Sequence, residues 1–133
     1  MQAVDKTAYD GGCHCGHVRF RLTAHIDHKR ICNCTICHKR GALIFRVDER
    51  QLELLTPLSD LSLYVWGTGS ARDYFCPTCG ILPFRRPRRN TAEEAAAGVP
   101  EFTGWAVNLR CLDDFDPSDL PTRHIDGQSL PLP

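Results

Sequence analysis

Apolar and polar residues alternate in several short runs along the chain. Val18, Phe20 and Leu22 share one face of an extended segment, and Leu61, Leu63 and Val65 share another before Gly67. A third run, GWAVNLRCL, sets Trp105, Val107, Leu109 and Cys111 on a common face. GALIFRV (41–47) and DYFC (73–76) predict strands from their apolar and aromatic content, without clean alternation. Helical signals are confined to TICHKRG (35–41) and TAEEAAAG (91–98), both short. The stretch from residue 115 to 133 carries four prolines and predicts an irregular tail. No repeat or long linker divides the chain. These patterns predict one mainly β domain over residues 1–133, built from small antiparallel sheets with one or two short helices.

Composition changes this picture at one point. A chain of 133 residues is long enough to bury a core without disulfide staples, yet it has eight cysteines. The opening MQAVDKTAYDGG lacks the apolar stretch of a secretory leader, and no run is long enough to span a membrane. The expected setting is therefore the reducing cytoplasm, where close cysteine pairs read as metal ligands. The 16 basic residues equal the 16 acidic ones, so net charge predicts neither nucleic acid nor a membrane surface as a partner.

Cys76-Pro77-Thr78-Cys79-Gly80 is a zinc knuckle: a tight turn aims two thiolates at one ion, and the glycine after the second ligand tolerates positive φ. Two more ligands are needed to close such a site, and Cys13-His14-Cys15-Gly16 supplies a glycine-flanked pair. Cys13, Cys15, Cys76 and Cys79 are thus expected to hold a structural zinc. Cys32, Cys34 and Cys37, in CNCTIC, can converge on a second ion. Three protein ligands and one open position is the pattern of catalytic zinc. His38 is the alternative, as a fourth ligand closing that site. Cys111 shares a face with Trp105, Val107 and Leu109 and reads as core. Lys39, Arg40 and the basic run FRRPRRN (84–90) read as a solvated face or as compensation for zinc–thiolate charge; their functional alternative is to hold a substrate carboxylate.

GGCHCGxVxF, CxCxxC before a short helix, and YFCPTCG together resemble the family of glutathione-dependent formaldehyde-activating enzymes, which also includes centromere protein V. The resemblance runs from about Gly11 to about Asp114. It implies a β-tent, in which small antiparallel sheets are pinned by zinc. It also implies two zinc ions per chain, a structural one on Cys13, Cys15, Cys76 and Cys79 and a catalytic one on Cys32, Cys34 and Cys37. The implied activity is that of a carbon–sulfur lyase, adding a thiol such as glutathione reversibly to a small aldehyde such as formaldehyde. His38 and His14 are the nearby candidates for a proton donor. The alternative is a non-catalytic module in which both metals only stabilise a binding surface.

Overall fold

A computed structural model of the chain describes residues 6–130. Among the described residues, ten strands form two sheets. The smaller contains β1 (Thr7–Gly12), β2 (Arg19–Ala24) and β5 (Leu52–Leu54), antiparallel in the order β1-β2-β5. The larger contains β3 (Lys29–Cys32), β4 (Ile44–Val47), β6 (Ser62–Tyr64), β7 (Arg72–Phe75), β8 (Phe84–Arg86), β9 (Trp105–Asn108) and β10 (Thr122–Ile125). Its order is β10-β3-β4-β9-β8-β7-β6. Two short helices complete the fold, α1 (Thr35–Arg40) and α2 (Ala92–Ala96). The chain is mainly β, as its patterning predicts. Among the described residues no helix is long and apolar enough to cross a membrane.

Alternation in β2 turns Phe20, Leu22 and Ala24 inward, all fully buried. They meet one face of the larger sheet, where register aligns Phe45, Val107, Phe84 and Tyr74 across β4, β9, β8 and β7. The Phe20 and Phe84 rings pack edge to face at 5.9 Å, and Phe84 meets Trp105 at 5.1 Å. Every residue of β9 is buried, so this central strand is covered on both sides. The opposite face of the same strands carries a second row, Arg46, Ala106, Arg85 and Asp73. One face is the core. The other is polar, and it is covered by α1 and the segment around Trp66.

Local chemistry accounts for the helices. The Thr91 hydroxyl accepts from the Glu94 backbone N–H and the Glu94 carboxylate accepts from that of Thr91, a reciprocal cap that starts α2. Gly41 ends α1 at φ 68°, donating its N–H to the Cys37 carbonyl.

Three expectations are corrected. The tail is not irregular throughout: β10 pairs in parallel with β3, and Gly127–Ser129 form a further helical turn. Pro117 and Pro121 lie outside the strand, leaving the proline-free segment 122–125 free to pair, and the Lys29 N–H donates to the Pro121 carbonyl at 2.9 Å. The run from Trp105 to Cys111 stops being a strand after Asn108, whose side chain accepts from Arg110 N–H and bends the chain into a turn. Cys111 is nevertheless buried, and burial pushes its thiol up to about 12. The alternation of Leu61, Leu63 and Val65 does not place one face inside: Leu63 and Val65 are exposed because β6 is the sheet's edge.

Asp73 is the one acid with no exposure in this core. Its carboxylate accepts from Arg85 Nε at 2.5 Å, Arg40 Nη2 at 3.3 Å and Trp66 Nε1 at 3.3 Å. It therefore ties α1 and the Trp66 segment onto the sheet. Asp73→Ala would strand two part-buried guanidiniums and is expected to cost about 3–5 kcal/mol. Urea unfolding measures this, and a loss below about 1 kcal/mol would show that the network carries little of the fold.

Candidate metal centres and an adjoining pocket

Cys13 and Cys15 lie in the turn between β1 and β2, and Cys76 and Cys79 in the turn between β7 and β8. Gly16 and Gly80, each following a cysteine pair, have φ of 83° and 79°. The four sulfurs lie within 4.8 Å of one another, with Cys15 3.6 Å from both Cys13 and Cys76. A zinc–sulfur tetrahedron with bonds of about 2.3 Å has edges of about 3.8 Å, so the donor set fits a zinc ion. Backbone donors point at the sulfurs as well. Val18 N–H donates to Cys13 Sγ at 3.3 Å, and the N–H groups of Thr78 and Cys79 both donate to Cys76 Sγ at 3.4 Å. Backbone donation from Ile81, and then from Cys15, holds the Cys79 thiol down to about 6.

The second group is Cys32 at the end of β3, Cys34 capping α1, and Cys37 in its first turn. Their sulfurs also lie within 4.8 Å of one another, and all three residues are half-buried. Burial, reinforced by the neighbouring Cys34 sulfur, pushes the Cys37 thiol up to about 12. A bound cation would reverse that penalty and let the three ionise together. Among the described residues no fourth His, Cys, Asp or Glu joins this group. His38 is exposed and lies outside it, and His14 is exposed beside the four-cysteine cluster.

The tail packs against this centre. Asn33 lies between its first two cysteines, and its Nδ2 donates to Asp126 Oδ1 at 2.9 Å. Gln128 N–H donates to Asn33 Oδ1 at 3.0 Å, and Gln128 Nε2 to the Asn33 carbonyl at 3.2 Å. Gly127 sits so close that a Cβ there would overlap the Cys32 sulfur.

The three cysteines open onto a cavity of about 370 Å³. Ile36, Ile44 and Trp66 give it apolar walls, while five arginines line it: Arg30, Arg40, Arg46, Arg85 and Arg88. Arg40 and Arg85 share Asp73, and Arg88 pairs with Glu94 at 2.6 Å. Among the described residues, Arg30 and Arg46 have no carboxylate partner. Burial of its guanidinium, with Arg30, Arg85 and Arg88 nearby, presses Arg46 down to about 10. The residue as a whole is nonetheless exposed, and its guanidinium carbon lies 4.8 Å from the centroid of the Phe102 ring.

The basic run FRRPRRN therefore divides. Arg85 and Arg88 enter the cavity. Arg86, on the other face of β8, stacks 3.7 Å over Trp105 and pairs with Glu49. Lys39 is exposed and does not line the cavity. Sequence reasoning missed Arg30, Arg46, Trp66 and Gly127. For Arg46 a signal existed: it alternates with Phe45 and Val47, so an inward pair implies an arginine on the reverse face.

Comparison with known proteins agrees with the cysteine pattern. Residues 8–104 match the model of the glutathione-dependent formaldehyde-activating enzyme family. A crystal structure of a Rhodobacter sphaeroides protein superposes with a TM-score of 0.65 at 28% identity, covering 86% of this chain and 99% of that one. With the family match extending over most of its length, the chain belongs to the family of glutathione-dependent formaldehyde-activating enzymes.

Proposed function

We propose that this protein is a zinc-dependent carbon–sulfur lyase that adds a thiol reversibly to a small aldehyde. The observation that carries this reading is the incomplete donor set: Cys32, Cys34 and Cys37 converge, no fourth described residue joins them, and they border a cavity. In this reading Cys13, Cys15, Cys76 and Cys79 hold a structural zinc, and Cys32, Cys34 and Cys37 hold a second with one position free, giving two per chain. None of the eight cysteines forms a disulfide, which suits a cytoplasmic protein.

Zinc bound by three cysteines would lower the pKa of a substrate thiol while leaving its sulfur nucleophilic. The chain's own residues do the rest. Ile36, Ile44 and Trp66 keep water from the reacting groups. As the sulfur–carbon bond forms, the carbonyl π pair moves to oxygen, and the proton released by the thiol ends on that oxygen. Arg40, on the same helix, and Arg85, whose charge favours the Cys37 thiolate, line the cavity with the cysteines. They are suited to stabilise the developing alkoxide. His38, exposed and outside the cluster, takes no part in this reading.

Thiol–formaldehyde adducts form and break spontaneously, so the test is a rate. NMR exchange spectroscopy on glutathione and its S-hydroxymethyl adduct should show faster interconversion with the zinc-loaded protein than in buffer. Cys37→Ser should abolish the acceleration. No acceleration by the wild type, with two metals bound, would favour the non-catalytic module.

The two centres should also respond differently to substitution. Cys37→Ser is expected to lose one zinc and stay within about 2 kcal/mol of wild-type stability, whereas Cys76→Ser should lose cooperative unfolding. Equal destabilisation would argue that both metals are structural. Gly127→Ala should displace the Cys32 sulfur and weaken metal retention at the three-cysteine centre alone. Competition with a chromophoric chelator reads this out, and unchanged retention of both ions would contradict it.

A further inference from the structure

The basic run FRRPRRN sends Arg85 and Arg88 to the cysteine cavity, and its other two arginines meet elsewhere. Arg86 and Arg89 line a second cavity, of about 460 Å³, together with Ser70, Arg72, Tyr74 and Glu101. The two cavities share Pro87, and alternation along β8 places Arg85 on one face of the sheet and Arg86 on the other. Nothing in the proposed thiol chemistry uses this second space.

Its charges are unevenly matched. Arg72 and Arg86 are direct cross-strand partners on β7 and β8, an arrangement in which like charges repel. Arg86 is compensated: both its terminal nitrogens pair with Glu49, and its guanidinium carbon lies 3.7 Å from the centroid of the Trp105 ring. Arg72 is not. Its Nη1 donates to the Gly69 and Ala71 carbonyls, and no carboxylate joins it among the described residues. Arg89 likewise has no acid there; its backbone N–H donates to Ser70 Oγ at 3.2 Å, which ties its loop to the turn before Arg72. Two uncompensated guanidiniums therefore border one cavity, on segments held together by a hydrogen bond. The remaining acid is Glu101. Its Oε2 accepts from the Asn90 N–H at 2.9 Å, and among the described residues no donor reaches Oε1.

We propose that this second cavity binds inorganic phosphate, held by Arg72 and Arg89, with Glu101 accepting the proton that the anion retains. Hydrogen phosphate carries two negative charges and one O–H. Two forked guanidiniums match its charges and its oxygens, and a carboxylate acceptor matches its O–H. Sulfate has the same shape and charge but no proton to give, so it meets Glu101 as a like charge. This site goes beyond the reading under Proposed function and stands apart from it, because neither the thiol nor the three cysteines takes part.

Calorimetric titration of the zinc-loaded protein, freed of excess metal, with sodium phosphate and sodium sulfate near neutral pH tests the assignment. Phosphate should bind at least about tenfold more tightly than sulfate, the range expected for one charge-assisted hydrogen bond. Arg72→Gln and Arg89→Gln, tested separately, should each weaken phosphate binding at least about tenfold while both zinc ions stay bound. Arg89 is exposed, so its variant should fold even where loss of the Arg72 turn contacts does harm. Glu101→Gln keeps an acceptor for Asn90 and gains a donor for sulfate, and should bring the two anions within about threefold of each other. Absence of saturable phosphate binding, or equal binding of both anions by the wild type, would overturn the site. So would an affinity that survives both arginine substitutions, or a preference for phosphate that survives Glu101→Gln. Phosphate binding lost in Cys37→Ser but kept in the arginine variants would place the anion on the cysteine centre and overturn it as well.

Discussion

Four sulfurs held in mutual contact are the constraint on which the fold depends. Cys13 and Cys15 come from the turn of the small sheet, and Cys76 and Cys79 from a turn of the large one, with Cys76 lying 61 positions after Cys15. Neutral thiols 3.6 Å apart attract one another only weakly, by dispersion and a weak S–H···S hydrogen bond, and ionised ones repel. Against the cost of burial, the Val18 N–H directed at Cys13 and the neighbouring sulfurs hold that thiol below its ordinary range, a preference that makes sense around a cation. Ion binding would close the long loop and join the two sheets, coupling metal affinity to folding. The aromatic packing of Phe20, Phe84 and Trp105 between those sheets then has a fixed geometry to fill.

With one face of the large sheet used for that core, the other is available for chemistry. The division follows from register. Phe45, Val107, Phe84 and Tyr74 face inward, so their neighbours Arg46, Ala106, Arg85 and Asp73 face the cavity. A fully buried acid beneath an arginine-lined surface sets the positions of Arg40 and Arg85 and holds α1 in place. Because α1 carries Cys37 and follows Cys32 and Cys34 directly, the electrostatic network and the open cysteine centre are mechanically one unit. The chain beyond residue 104, outside the family match, supplies a further wall through Ile125, Gly127 and Gln128.

Much of the centre was legible in the sequence because its signals are local. Cysteine spacing with a following glycine specifies a turn, and Gly16 and Gly80 have the positive φ that such turns require. Alternation around Phe20 specified the inward face of β2, and the Thr91–Glu94 pair marked the start of α2. The features that escaped depend on non-local pairing. β10 joins the sheet in parallel, beside a strand about ninety residues earlier, and its proline-rich flanks disguise it. Arg30 and Arg46 look like surface residues until the strand order places them beside CNCTIC. The basic run drew attention through density of charge, yet only Arg85 and Arg88 face the cavity, a division set by β8 and the turn after it.

The central claim is that one centre is closed by protein and the other is not. X-ray absorption at the zinc edge of the metal-loaded wild type tests it most directly. Four and three sulfurs on two ions average 3.5 sulfurs per zinc, with the shortfall made up by a light atom at the three-cysteine centre. Two zinc ions per chain with that average is the predicted result. An average of four sulfurs, or a single zinc per chain, would contradict it.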